Sequence, residues 1–173
     1  MLFNSSGLKF YAICFFIFGV QNFLYSQYCT SSSTAASFCS TSLVEIGSLS
    51  NSSFGCANYS DYTSIYTDLI LNGTYDLTIG LNNCSGFTMP KISNVYIDWN
   101  GNEIFEINEE VFHIDATSAI AANQTNFSTT IIVPPYAVLD TIRMRVVTAW
   151  STFDDPGDYS CGIYGWGETE DYS

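Results

Sequence analysis

Thr141-Ile142-Arg143-Met144-Arg145-Val146-Val147-Thr148-Ala149-Trp150 is the stretch that decides the fold. Its alternation puts Ile142, Met144, Val146 and Thr148 on one face and Arg143 and Arg145 on the other, the period of two that a β-strand imposes. Similar short runs rich in β-branched and aromatic residues lie on both sides, separated by turn residues. Leu43 to Gly47 is one, Lys91 to Trp99 another, and Ser128 to Val133 a third, ended by Pro134-Pro135, which cannot donate to a ladder. Thr67 to Leu71 and Thr74 to Ile79 flank Asn72-Gly73, and this predicts a hairpin because both turn residues tolerate positive φ. The Ser/Thr cluster from Thr30 to Thr41 reads as irregular lead-in chain, with Cys29 and Cys39 as a candidate staple. Helical periodicity is almost absent after Gln27. About seven strands at roughly 8–12-residue spacing predict an all-β antiparallel β-sandwich of jelly-roll or immunoglobulin-like type.

The front of the chain is different in kind. Lys9 precedes the apolar run Phe10 to Val20, and Ser26 offers a small residue at a cleavage site, so residues 1–26 read as a signal peptide. The apolar run falls short of the ~20 residues that a spanning helix needs. Export agrees with the cysteines that would remain: Cys29, Cys39, Cys56, Cys84 and Cys161. None has the spacing of a zinc or redox motif, which points to disulfides in an oxidising compartment. Five is odd, so one thiol stays outside any intramolecular pair. A bridge from Cys29 to Cys161 would tie the ends of the domain together, although spacing leaves the connectivity open.

After Ser26 there are three bases against seventeen acids, giving 3 − 17 = −14. Such a chain repels phosphates and anionic lipid, which excludes nucleic acid as a partner and argues against membrane insertion once the signal is removed.

Gly167-Glu168-Thr169-Glu170-Asp171-Tyr172, read with Cys161-Gly162 before it and Ile97-Asp98-Trp99-Asn100 upstream, resembles the signature of the GEVED domain. Tyr59-Ser60-Asp61-Tyr62-Thr63, Ile131 to Pro134 and Thr141 to Val146 are similar to further segments of that family, in the same order. The resemblance implies a β-sandwich module of secreted bacterial proteins, found beside peptidases, adhesins and sorting domains. It thereby implies an extracellular, non-catalytic binding or adhesion role, with a glycan or protein ligand, as an accessory to a larger secreted protein. The family's acidic run leads into a further strand, so residues 27–173 are expected to be a domain that lacks its last strand.

Two constellations carry candidate chemistry. Counting Asp98 as position one, Asn100, Asn102, Glu106 and Glu109 place side-chain oxygens at positions 3, 5, 9 and 12, with the carbonyl of Ile104 at 7. That is the spacing of a calcium-binding acidic loop. Glu103 stands where such loops carry a sharp-turn glycine, and Asn102 replaces an acid. The alternative is a plain hairpin in which strands ending at Trp99 and starting at Asn102 turn at Asn100-Gly101.

The second constellation is Glu168, Glu170 and Asp171. In a strand the two glutamates would share a face about 7 Å apart, near the separation of a glycosidase pair. The favoured expectation is a structural ion pair with Arg143 or Arg145 across neighbouring strands. A glycan hydrolase and a purely structural spacer are the alternatives in function. Tyr164 and Trp166 are expected in an exposed loop, open to a ligand. His113 has no partner motif, and no nucleophile elbow, HExxH or phosphate loop is present.

Overall fold

The computed structural model describes residues 27–53, 55–85, 89–116, 125–151 and 160–173. The proposed signal peptide lies outside these residues. Among them are ten strands: β1 (Ser31–Ala35), β2 (Ser40–Ile46), β3 (Leu49–Asn51), β4 (Tyr59–Asp61), β5 (Thr74–Asn82), β6 (Lys91–Ile97), β7 (Glu110–Ala116), β8 (Thr125–Ile132), β9 (Met144–Trp150) and β10 (Gly162–Tyr172). A single 3-10 turn, Ile107–Glu109, precedes β7.

The strands form two sheets, a sandwich-like arrangement as the alternating runs predict. One runs β1-β10-β9-β6-β7, with β4 also paired to β10; the other runs β3-β2-β5-β8. Pairing is not antiparallel throughout. Strands β1 and β4 both lie parallel to β10, β1 along Gly162 to Trp166 and β4 along Thr169 to Asp171. The long β10 thus takes two short neighbours end to end on one edge and the antiparallel β9 on the other.

The core lies between the sheets. Val44, Ile46, Leu77, Ile79 and Leu81 come from one, and Val95, Ile97, Met144, Val146 and Tyr172 from the other. Each fully buried aliphatic side chain contributes about 1.5–3 kcal/mol. Met144 and Val146 take the inward face expected of them. Thr148 continues that face as a polar residue, its hydroxyl 2.9 Å from both Thr41 Oγ1 and Ser93 Oγ. The interior is therefore apolar at one end and lined by Ser, Thr and Glu at the other.

Three local expectations fail, each because a distant partner wins. Residues 67–71 are not a strand, although Asn72 does turn the chain, with φ 62°. Strand β5 has β2 on one side and β8 on the other, so no edge is left for a hairpin partner. The Ser/Thr lead-in forms β1, since Ser31 Oγ and Ser33 Oγ hydrogen-bond to Thr169 Oγ1 at 2.9 Å and Gly167 O at 2.6 Å. Cys29 bonds to Cys161 rather than Cys39, and Cys56 to Cys84, which leaves Cys39 buried outside both disulfides. The first bridge closes 132 residues of sequence separation, a loop whose restriction in the unfolded chain is worth about 4–5 kcal/mol in the chain-entropy account.

Candidate functional site

Strand β10 reaches its acidic run through Gly167. That residue has φ 152°, and a Cβ there would stand 1.9 Å from the Thr148 carbonyl oxygen. Only glycine lets β10 approach β9 this closely. Beyond it, the period of two turns Glu168, Glu170 and Tyr172 inward, and Thr169 and Asp171 toward the opposite face.

Asp171 sits opposite Arg145 in the β10–β9 register. Arg145 Nε donates to Asp171 Oδ1 at 2.7 Å and Nη2 to Oδ2 at 2.8 Å, a bidentate pair with both side chains buried. Arg145 Nη1 donates to the carbonyls of Cys29 and Ser160, at 2.9 and 2.5 Å. Phe105 lies under the guanidinium, whose centre is 4.9 Å from the ring centroid. Arg143 approaches the same carboxylate at 3.7 Å, and Tyr59 donates to it at 3.1 Å. The expected ion pair between motif acid and arginine is thus present at Asp171.

The two glutamates are not paired with arginine. Glu170 accepts from Ser53 Oγ at 2.6 Å and Tyr172 Oη at 2.8 Å. Glu168 Oε1 accepts from Ser60 Oγ at 3.0 Å and the Ala57 amide at 3.4 Å, while Oε2 has no hydrogen-bond partner among the described residues. Both side chains are 0% exposed. Burial pushes Glu168 up to about 7 and Glu170 up to about 8, the latter also raised by its neighbour Glu168. Both carboxyls are enclosed by the fold, with neither side chain open to solvent.

The segment from Asp98 to Glu109 is a wrapped loop and not the second arm of a hairpin. Asp98 is fully buried, and Asp98 Oδ1 accepts the amides of Gly101 and Asn102, at 2.8 and 3.2 Å. Its Oδ2 accepts the Glu103 amide at 2.9 Å and the Tyr28 hydroxyl at 2.6 Å. Asn100 and Asn102 repeat the turn by accepting the amides of Asn102 and Ile104, at 2.9 and 2.8 Å. Glu103, at the sharp-turn position, adopts φ 64° without being glycine. The chain path is that of an acidic cation loop; the side chains, however, satisfy one another. Both Asn100 and Asn102 donate Nδ2 to Glu106, at 3.1 and 2.6 Å, and Glu109 accepts the Glu106 amide at 3.1 Å. Among the described residues no three acidic, His or Cys side chains converge as a metal-binding group. Backbone and spacing fit a cation, and the present side-chain arrangement does not.

Tyr164 and Trp166 lie in strand β10 instead of an exposed loop. Tyr164 is buried, with its hydroxyl 2.9 Å from Thr169 Oγ1. Trp166 packs against Trp150 and Phe38, at centroid distances of 5.1 and 6.1 Å. His113 is exposed, and its Nδ1 lies 2.8 Å from Asn94 Oδ1.

A hollow of about 620 Å³ opens where β2 and β6 end and β9 begins. Ile46, Leu49, Ile97 and Met144 form its floor, and residues from 63–71 and 137–142 its walls. The acidic loop abuts one wall: Val138 donates its amide to Trp99 O at 2.9 Å, and a Cβ on Gly101 would meet Val138 Cγ2 at 2.9 Å. Reading strand by strand misses this hollow, because both walls are irregular chain brought together from distant sequence.

Two facing sheets, with an acidic strand sealed by arginine and hydroxyl groups, define a β-sandwich module. Residues 93–173, just under half of the chain, match the GEVED domain family. The match begins within β6, and β2, β3 and β5 of the second sheet precede it. No curated protein and no solved structure matches the chain. Family and fold fit a non-catalytic module, and the two disulfides are compatible with an extracellular protein. Among the described residues no helix is long and apolar enough to cross a membrane.

Proposed function

We propose that the chain is a secreted, non-catalytic β-sandwich module that binds an extracellular glycan or protein as an accessory to a larger secreted protein. The observation that carries this reading is the sealing of the motif acids. A glycosidase holds its carboxyls against the scissile bond, with room for sugar and water. Glu168, Glu170 and Asp171 are each 0% exposed and bonded to serine, tyrosine or arginine. The net charge of the mature chain argues against nucleic acid and anionic lipid as partners.

Panels of polysaccharides, cell-envelope extracts and extracellular proteins test it. Retention of the purified protein without turnover is the expected outcome. Polysaccharide turnover abolished by Glu168→Gln would establish the hydrolase instead, and a failure of retention on every array would leave a spacer.

A second reading is favoured by the loop path. The repeated turns at Asp98, Asn100 and Asn102 and the positive φ of Glu103 support calcium at residues 98–109. Asp98, Asn100, Asn102, Glu106 and Glu109 would hold it through side chains and Ile104 through its carbonyl. Binding requires Glu106 to exchange its hydrogen bonds from the two asparagine side chains for the ion. In this reading calcium is structural, a brace for the loop that holds Val138 in place.

A further inference from the structure

The geometry points to the hollow between residues 63–71 and 137–142 as a docking site for a polypeptide segment that presents bulky apolar side chains flanked by lysine or arginine. This inference rests on the binding-module reading and names its site and its partner class. Size comes first: about 620 Å³ lies within the ~300–1,000 Å³ of ligand pockets, room for a few large side chains and not for a folded domain.

The apolar surface is concentrated here. At the rim Tyr66 is 68%, Val138 37% and Leu139 88% exposed. Large apolar side chains gathered on adjoining loops around a concave floor are the anatomy of a protein-binding hot spot. A glycan asks for a flat, open aromatic face. Of the rings at the hollow, Trp99 is buried and only Tyr66 is open.

Charge selects the sign of the partner. Asp68 and Asp140 are in the lining, which contains no lysine, arginine or histidine. Elsewhere, of the three bases after Ser26, Lys91 and Arg145 are buried and Arg143 lies against Asp171. A partner entering an acidic rim gains from flanking cations, and an anionic lipid surface is repelled.

The probes are two fluorescein-labelled octapeptides with the same central Phe, Leu and Ile residues, one flanked by lysines and the other by glutamates. Fluorescence anisotropy on the full chain should show binding of the lysine-flanked peptide only, weakened at high salt. The double change Asp68→Lys, Asp140→Lys, at exposed positions that leave the fold intact, should weaken it about tenfold, the order expected for reversing two rim charges. Leu139→Ser should weaken binding without altering its salt dependence. Equal binding of both peptides, or no change in either variant, overturns the site. So does self-association abolished by Leu139→Ser in light scattering, which would make a second copy the occupant, and so does flotation with anionic vesicles. If the double variant is still retained on the arrays at undiminished strength, the module reading stands and this site falls.

Discussion

Arg145 and Asp171 face each other across the β9–β10 pair and are joined by two hydrogen bonds of 2.7 and 2.8 Å, with neither side chain reaching solvent. A buried pair of this kind is costly to break from one side. Asp171→Asn should destabilise the domain by about 3–5 kcal/mol in denaturant titration, because it leaves the guanidinium uncompensated. The double change Arg145→Met, Asp171→Leu should recover much of the loss. A single change that costs less than ~1 kcal/mol would show that the ion pair does not hold the sheet together.

Gly167→Ala tests the close approach of β10 to β9. The added methyl meets the Thr148 carbonyl, backbone that cannot swing aside. A loss of about 3 kcal/mol or more is expected, from strain at a glycine-only conformation combined with the collision. Gly162→Ala is the control, since nothing lies within 4 Å of its Cβ. Its positive φ still brings a smaller cost, so the difference between the two variants isolates the collision.

The buried glutamates give stability a slope with pH. Both have folded values raised above the unfolded ones, to about 7 and about 8. Their stabilisation is therefore fully present below the unfolded carboxyl value of about 4.3 and is lost as pH rises through 7 and 8. Melting temperature should fall from pH 5 to pH 8.5, and Glu168→Gln with Glu170→Gln should flatten that fall. A steeper fall in the double variant would refute the assignment.

Calcium is decided by thermal melts. A loop with three carboxylates should bind in the range of extracellular modules, about 10⁻⁴–10⁻³ M. At 100 times the dissociation constant the ion would add about 2.7 kcal/mol, and less at ordinary external concentrations. Asp98→Asn should remove the increment. Superimposable curves with calcium and with chelator in the native sequence would mean that the asparagine–glutamate hydrogen bonds complete the loop by themselves.

Much of the acidic motif was legible in advance, in that pairing one of its acids with a β9 arginine follows from two adjacent strands with opposite charges. Which acid pairs was not legible, because register is a tertiary property. Tyr172 is apolar enough to mark the inward face, and residues two and four positions before it, Glu170 and Glu168, must share that face. The periodicity therefore hid two glutamates in the interior, where composition alone would never place them.

The alternating runs by themselves determined the all-β class, the strands around Val44, Val95 and Val146 and the inward face of β9. Such patterns are local: a period of two and a turn residue are written within a few positions of each other. Tertiary structure decided everything that depends on competition for partners. It gave β5 to β2 and β8 in place of residues 67–71, and it made a strand of the Ser/Thr lead-in because β10 offered hydrogen bonds that hydropathy does not register. It also sent Cys29 to Cys161, enclosed Glu168 and Glu170, and opened the hollow between two loops. Those outcomes rest on contacts between residues far apart in sequence, whose free energies no single segment contains.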